Sequence, residues 1–452
     1  MFFYIAWIFV TWHEICVVYW ICNFTLFQKR KEECRLIDSI KNRVVITGVG
    51  VVAPNGIGKD EFWSSLKKGV SGVSRITGFD VEQYPVRIAG EIKDFNPSKY
   101  IDAKKAKRMS RATRFAVVSA KMAKDDAGLV IEKEDPAQIG VVLGLSIQGL
   151  DIMERQYDLL LKNGPEGVNP FGVAGYTSNA SVGHISVELG ITGRTMVLST
   201  GCSAGSNAIG YAFEMIRHGM VEIMIAGGAD APITPLGLSS FCAIRSLSTR
   251  NDEPRRASRP FEKNRDGYIL GEGAGIFILE NLDHALARSA KIYAEITGYA
   301  CNSDAYSMYK VEPSGRQAAE AMVSAMKNAD IKPEDVDYIC AHGTSSLISD
   351  ARETTAIKMS LNGNSGRIPV SSIKSMTGHP LGAAGGLQVA ACLMAFNDGV
   401  IAPTINYDEP DPVCDLDYVP NEARAGRVNV ALVNSLGIGG NNAVLVLKRF
   451  ED

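Results

Sequence analysis

The chain lacks a CxxC pair and any zinc-type cysteine spacing; its nine cysteines are scattered, and nine is odd. A reduced compartment fits that pattern better than a disulfide framework. Strong charge of either sign is missing too: the net is −3 over 452 residues, so no bulk field points to nucleic acid. Histidine is scarce, six in all, which makes the backbone context of each one informative. Apolar runs in the body are short, and the one stretch of membrane-spanning length is residues 1–27, MFFYIAWIFVTWHEICVVYWICNFTLF. That stretch is long enough to cross a bilayer, although His13 and Glu14 fall near its middle. The basic cluster of QKRKEECR behind it would hold the rest of an anchored chain on the cytoplasmic side. Three readings stand side by side: an anchor, a true start site further downstream, and a helix lying on a membrane surface. A cytoplasmic location is expected, with membrane contact through residues 1–27 under the first and third.

What the chain has is glycine, 44 residues spread throughout, and 46% hydrophobic residues. This suits a large α/β core with many tight strand–helix turns, as two domains or one fused pair. The folded body is expected from Arg43, where RVVITGVGVVAPNG reads as a buried strand and a glycine turn. Two series of strands follow with the same rhythm. In each, a strand runs into small residues and then a glycine- and alanine-rich helix: LSTGCSAGSNAIG in one, VSSIKSMTGHPLGAAGG in the other. The reading is an extension over 1–42 and two related α/β halves, 43–290 and 291–452. Apolar runs without alternation argue for sheets covered on both faces.

Cys202 lies where a β-rich stretch gives way to a helical pattern, flanked by Gly201 and Gly205. The first N–H groups of the helix and its dipole are expected to lower the thiol's pKa, as in a nucleophile elbow carrying sulfur. His342 and His379 each follow a strand in a glycine-rich turn, where open α/β sheets gather functional residues. Lys374 lies five residues before His379, and Asp350 and Glu353 begin the helical stretch after His342. From residue types alone, a Cys-His hydrolase stays open, though its second histidine would be idle. A zinc site is weakly supported, since a metal would occupy the nucleophile. His184, His218 and His284, and Cys242, Cys301, Cys340, Cys392 and Cys414, read as structural. The basic run DAKKAKRMSRATR holds Lys104, Lys105, Lys107, Arg108, Arg111 and Arg114. It is either a solvated helix face or a docking patch for an acidic partner; no aromatic interleaving supports nucleic acid.

These segments carry a resemblance. GVGVVAPNG, STGCSAG, GGAD, LSTRND, RDGYILGEGAG, AHGTSS, KSMTGHPLGAAGG, PTINYDEPD and NSLGIGGNNA, in that order, make residues from about Arg43 to Phe450 similar to the elongating, type II β-ketoacyl-[acyl carrier protein] synthases. The resemblance implies a thiolase-like fold: two related βαβαβαββ halves in a five-layered α-β-α-β-α sandwich, working as a homodimer, with no cofactor and no metal. It implies that Cys202 takes the acyl chain as a thioester, and that His342 and His379 donate to the malonyl thioester carbonyl and promote loss of CO₂. Lys374 would orient the histidines and balance charge, with Glu353 supporting it and the local loop and Asp350 beside it. The N–H groups of Cys202 and Ile438 would form the oxyanion hole, in a gate that includes Gly437 and Gly439. Thr344 and Ser346 would bond the pantetheine arm. Ile147, Gly172, Phe241 and Leu436 would line the acyl pocket, and acyl carrier protein would dock on the basic run.

Two departures bear on specificity. The family's gating loop has two aromatics; here it reads Leu436-Gly437-Ile438-Gly439-Gly440. Gly172 stands where a phenylalanine usually narrows the far pocket. The expectation is a wider acyl tunnel, unless Leu145 or Tyr176 fills the space. Rival readings are a polyketide or specialised-lipid condensing enzyme, a thiolase (disfavoured by His379 in place of a second cysteine) and a non-enzymatic scaffold.

Overall fold

The structure is a computed structural model that describes residues 42–451. The readings on residues 1–27 therefore lie outside the described residues. Among the described residues, no helix is long and apolar enough to cross a membrane.

The first half supplies strands β1 (Val44–Ala53), β2 (Ile139–Gly144), β3 (Thr195–Leu198), β4 (Ile223–Asp230) and β5 (Gly273–Asn281). The second supplies β6 (Ala294–Ser303), β7 (Tyr338–Cys340), β8 (Val370–Ser371), β9 (Val430–Leu436) and β10 (Asn441–Arg449). Their spatial orders are β3-β2-β4-β5-β1 and β8-β7-β9-β10-β6, one permutation used twice. In each half the fifth strand runs antiparallel to both neighbours, while the strands at the far edge pair in parallel. The halves join edge to edge where Val44–Ile46 of β1 pairs with Ala294–Ile296 of β6.

Each sheet is apolar on both faces because alternate residues serve different helices. In β5, Ile276 and Ile278 face the outer helices α1 (Arg111–Asp126) and α2 (Ala180–Leu189), while Phe277 and Leu279 face inward. In β10, Leu445 and Leu447 face inward, and Val444 and Val446 meet α4 (Arg316–Asn328) and α5 (Leu347–Ser360). The inward faces of both sheets close on two shared helices, α3 (Ala204–Arg217) and α6 (Ala384–Asp398). The result is the expected five layers in a thiolase-like α/β fold.

Burial on every side explains the composition of the central helices. Every residue of α6 from Ala384 to Phe396 is buried, and Gln388 is its one polar side chain in that run. A helix apolar all round is stable only inside such a layer. Glycine lets the layer close: a Cβ on Gly386 would meet the Gly275 carbonyl oxygen at 2.3 Å, and one on Gly205 the Gly382 oxygen at 2.4 Å.

Candidate active site

The N-terminal ends of the two central helices lie at the same end of the sandwich. β3 runs into a tight turn over Gly201–Ser203 and then into α3, with Gly201 at φ 61° in the left-handed region. Cys202 sits in that turn, 4% exposed. The N–H of Ile438, on the loop between β9 and β10, and the N–H of Cys202 itself favour the charged form of its sulfur. The expected thiolate is not what this environment favours. Burial pushes the thiol up to about 11, against the lowering effect of those N–H groups and of the Lys374 charge. Desolvation in an apolar pocket outweighs the helix terminus.

β7 delivers His342 to the same place. Its loop is held by two buried carboxylates that accept from the backbone. The N–H groups of His342 and Gly343 donate to Glu353 at 2.7 Å each. Those of Thr344 and Ser345 donate to Asp350 at 2.9 and 3.0 Å, and the N–H of Phe261 donates to it at 2.8 Å. Asn434 adds a side-chain donor to Glu353 at 3.2 Å. Glu353 thus holds the loop, and its charge also favours the ammonium of Lys374, whose Nζ donates to Gln388 Oε1 at 3.3 Å. Gln388 Nε2 in turn donates to the carbonyls of Ala341 and Asn434, at 2.8 and 2.9 Å. One amide thus ties the lysine to the ends of β7 and β9.

His379 lies between Lys374 and the start of α6. Its N–H donates to Ile269 O at 2.7 Å and its carbonyl accepts from Gly271 N–H at 2.9 Å. The His342 and His379 rings stand edge to face, centroids 5.2 Å apart at 89°. Both imidazoles are held well below the usual range, first by burial and then by the Lys374 charge. They stay neutral at physiological pH, each with one N–H to donate. Burial pulls Lys374 itself down to about 8.

These groups share one cavity of about 300 Å³, lined by Cys202, His342, His379, Thr344, Ser346 and the Leu436–Gly440 loop, among others. A buried nucleophile, two neutral imidazoles in the same cavity and two backbone N–H groups that act on the sulfur are the parts of an acyl-transfer and carbanion-stabilising site.

Comparison with known proteins agrees. Residues 41–285 match the family model for the β-ketoacyl synthase N-terminal domain, and residues 293–408 match the one for its C-terminal domain. The chain belongs to the β-ketoacyl synthase family. It is thus a condensing enzyme of the thiolase-like superfamily. It is 46% identical over 411 residues to 3-oxoacyl-[acyl-carrier-protein] synthase 2 of Synechocystis sp., covering 91% of this chain and 99% of that one. The protein of the same name from Coxiella burnetii is 44% identical over 412 residues, covering 91% of this chain and all of that one. Among solved structures, a type II polyketide ketosynthase, in complex with its acyl-carrier protein and bound to a hexaketide, is similar at TM-score 0.85 and 36% identity. The ishigamide ketosynthase/chain length factor is similar at 0.85 and 35%. Each covers 91% of this chain and is itself covered in full.

The synthase does not bring every expected residue to the cavity. Ile147 and Phe241 pack in the apolar cluster that contains Cys202, and Leu436 lines the cavity directly. Gly172 does not: it lies in a separate surface hollow with Lys107, Arg108 and Arg155. There the Gln156 side chain fills the space of the missing ring, so that a Cβ on Gly172 would meet it at 2.8 Å. Neither Leu145 nor Tyr176 is the filler. Among the basic residues, Lys104, Lys105, Lys107 and Arg108 are exposed, with Lys105 paired to Glu188 at 2.6 Å and Arg108 over the Phe171 ring at 4.0 Å. Arg111 corrects the expectation of a fifth docking cation. Its guanidinium turns inward, donating to buried Glu272 at 2.6 and 2.8 Å and to Ile92 O at 2.7 Å. Burying Glu272 unpaired would be costly, and Arg111 is its partner.

Sequence reasoning missed five site residues. Gln388 was legible as the lone polar residue in an apolar helix. Asp230, in the GGAD segment, accepts from the N–H groups of Ser146, Ile147 and Gly382, tying β4 to the turn before α6. Arg352 lines the cavity and pairs with Asp304 at 2.6 Å. Tyr268 and its neighbour Ser246 also line it.

Proposed function

We propose that this synthase performs the decarboxylative Claisen condensation of fatty acid chain elongation. An acyl chain moves from a carrier's pantetheine thiol to Cys202: the acyl–S bond to the arm breaks, one to Cys202 forms, and the thiol proton passes to the departing arm. Malonyl-[acyl carrier protein] then binds with its thioester carbonyl at the N–H groups of His342 and His379. The C–CO₂ bond breaks, and its electron pair becomes an enolate held by those donors. The carbanion attacks the acyl-Cys202 carbonyl, whose oxyanion is met by the N–H groups of Cys202 and Ile438, donors worth about 3 kcal/mol each in comparable sites. Collapse frees the sulfur, which takes up one proton, and releases 3-oxoacyl-[acyl carrier protein]. The residues present need no cofactor for these steps.

The observation that carries this reading is the meeting of Cys202 with two neutral imidazoles in a single cavity. Lys374 orients the pair, and its charge adds to the burial that keeps both imidazoles from protonating. Thr344 and Ser346, in the cavity wall, fit hydroxyl contacts to the pantetheine arm. Lys104, Lys105, Lys107 and Arg108 offer a basic face to an acidic carrier protein, and the enzyme works as a cytoplasmic homodimer. The names of the relatives, and the carrier-bound state of the polyketide ketosynthase, support the same assignment.

A second reading, condensation in a specialised lipid or polyketide pathway, is favoured by Ile438. This aliphatic residue, 48% exposed at the cavity, stands where the family has an aromatic gate. Turnover of a panel of acyl carriers with malonyl carrier tests both readings. Straight chains are expected to be extended with CO₂ release and an acyl adduct on Cys202. Efficient turnover of bulky chains alone would favour the second reading, and absence of both adduct and CO₂ would overturn the two together.

A further inference from the structure

The apolar wall beside Cys202 contains one hydrogen-bonded hydroxyl pair. Ser246 Oγ donates to the Tyr268 hydroxyl at 2.9 Å, and both residues line the cavity. The pair is rigidly placed: Tyr268 N–H donates to Ser246 O, and Ser248 N–H donates to Tyr268 O. The Tyr268 ring stands edge-on to His379, centroids 5.6 Å apart, and to Phe241 at 6.3 Å. Tyr268 is 8% exposed, and its cluster is otherwise built of groups such as Leu247, Ile269, Leu270 and Leu381.

In this arrangement Tyr268 accepts from Ser246, so its own proton is available to a group in the cavity. A saturated acyl chain on Cys202 has no use for a donor there, and a phenylalanine would spare the cost of burying the hydroxyl. Burial pushes the phenol well up, so the group remains a donor, and Cys202 is close enough to influence it. The hydroxyl therefore belongs to the corner shared by the nucleophile and His379. In a malonyl thioester, the carboxylate and the thioester carbonyl flank the same carbon. With the carbonyl on the histidines, the carboxylate two bonds away would come within reach of Tyr268, whose ring stands 5.6 Å from that of His379 in the same cavity.

We propose that the Tyr268 hydroxyl, oriented by Ser246, donates a hydrogen bond to the free carboxylate of the malonyl extender. This positioning contact rests on the condensing reading above. It exists only until CO₂ departs, so it strengthens extender binding without stabilising the transition state.

The test uses the full-length enzyme with Cys202→Ala, which isolates malonyl-carrier decarboxylation, compared with the same protein carrying Tyr268→Phe in addition. KM for malonyl carrier is expected to rise about tenfold, as for loss of a hydrogen bond to a charged group. Because the contact is made in the bound extender and not in the transition state, kcat is expected to rise by a similar factor, leaving kcat/KM within about twofold. Ser246→Ala in the same background should raise KM less, in the same direction. With Cys202 restored, Tyr268→Phe should leave KM for saturated acyl carriers in the transfer step unchanged. An unchanged malonyl KM overturns the proposal, as does an equal rise for acyl and malonyl carriers, which would mean a disturbed pocket. A defect confined to acyl chains bearing an oxygen would also overturn it, by giving the hydroxyl to the acyl group. No CO₂ release from the Cys202→Ala parent would instead bring down the condensing reading itself.

Discussion

At the residue scale, the decisive quantity is the protonation of Cys202. Its sulfur is buried, and the thiol, pushed up to about 11, stays protonated at neutral pH. Alkylation by iodoacetamide should therefore accelerate about tenfold per pH unit from neutrality to near pH 10 and level off only above it, because the thiolate is the reacting form. A flat profile above pH 7 would show that the helix terminus wins after all. A second prediction concerns Glu353, whose two oxygens receive the N–H groups of His342 and Gly343. In Glu353→Gln, an NH₂ faces one of those donors. Stability measured by denaturant should fall by about 1–3 kcal/mol, and kcat should fall with it as the His342 loop loosens. The sequence exposed Cys202, His342 and His379 through their glycine-rich contexts. It could not expose the thiol's pKa, which is set by burial from chain segments hundreds of residues away, nor that Arg111 turns toward Glu272, 161 residues on.

At the element scale, the site depends on how closely two helix starts approach the sheets. The contact between Gly386 of α6 and Gly275 of β5 leaves no room for a methyl group. Gly386→Ala should cost about 1–3 kcal/mol and depress condensation more than it depresses the melting temperature, since any shift of α6 moves His379 relative to Cys202. Equal loss of both would mean that the contact serves stability alone. The elements themselves were readable: unbroken apolar runs gave strands buried on both faces, and small-residue helices gave the central layer. What periodicity cannot supply is the pairing between distant turns, such as Asp230 with Gly382. Gly172 illustrates the same limit, because the neighbour that fills its space, Gln156, lies on another helix.

At the scale of the whole molecule, β3 is an edge strand paired on one side only, and Met196 on it is 40% exposed. Val173, on the helix Gly172–Tyr176, and Val187, on α2, add further exposed apolar surface, with Val187 at 76%. An unprotected edge with apolar flanks is a template for pairing. The enzyme should sediment as a dimer, and Met196→Lys should shift it toward monomer by placing a charge on that edge. Sedimentation unchanged by the substitution would put the dimer contact elsewhere.

The central layer has a further consequence for how such a protein can change over generations. Its sulfur comes from one half and its imidazoles and ammonium from the other. Neither half, synthesised by itself, holds a complete reaction centre. A change in the cavity wall, as at Ile438 or Tyr268, leaves the meeting of the two halves in place, while the two helix starts must move together or not at all.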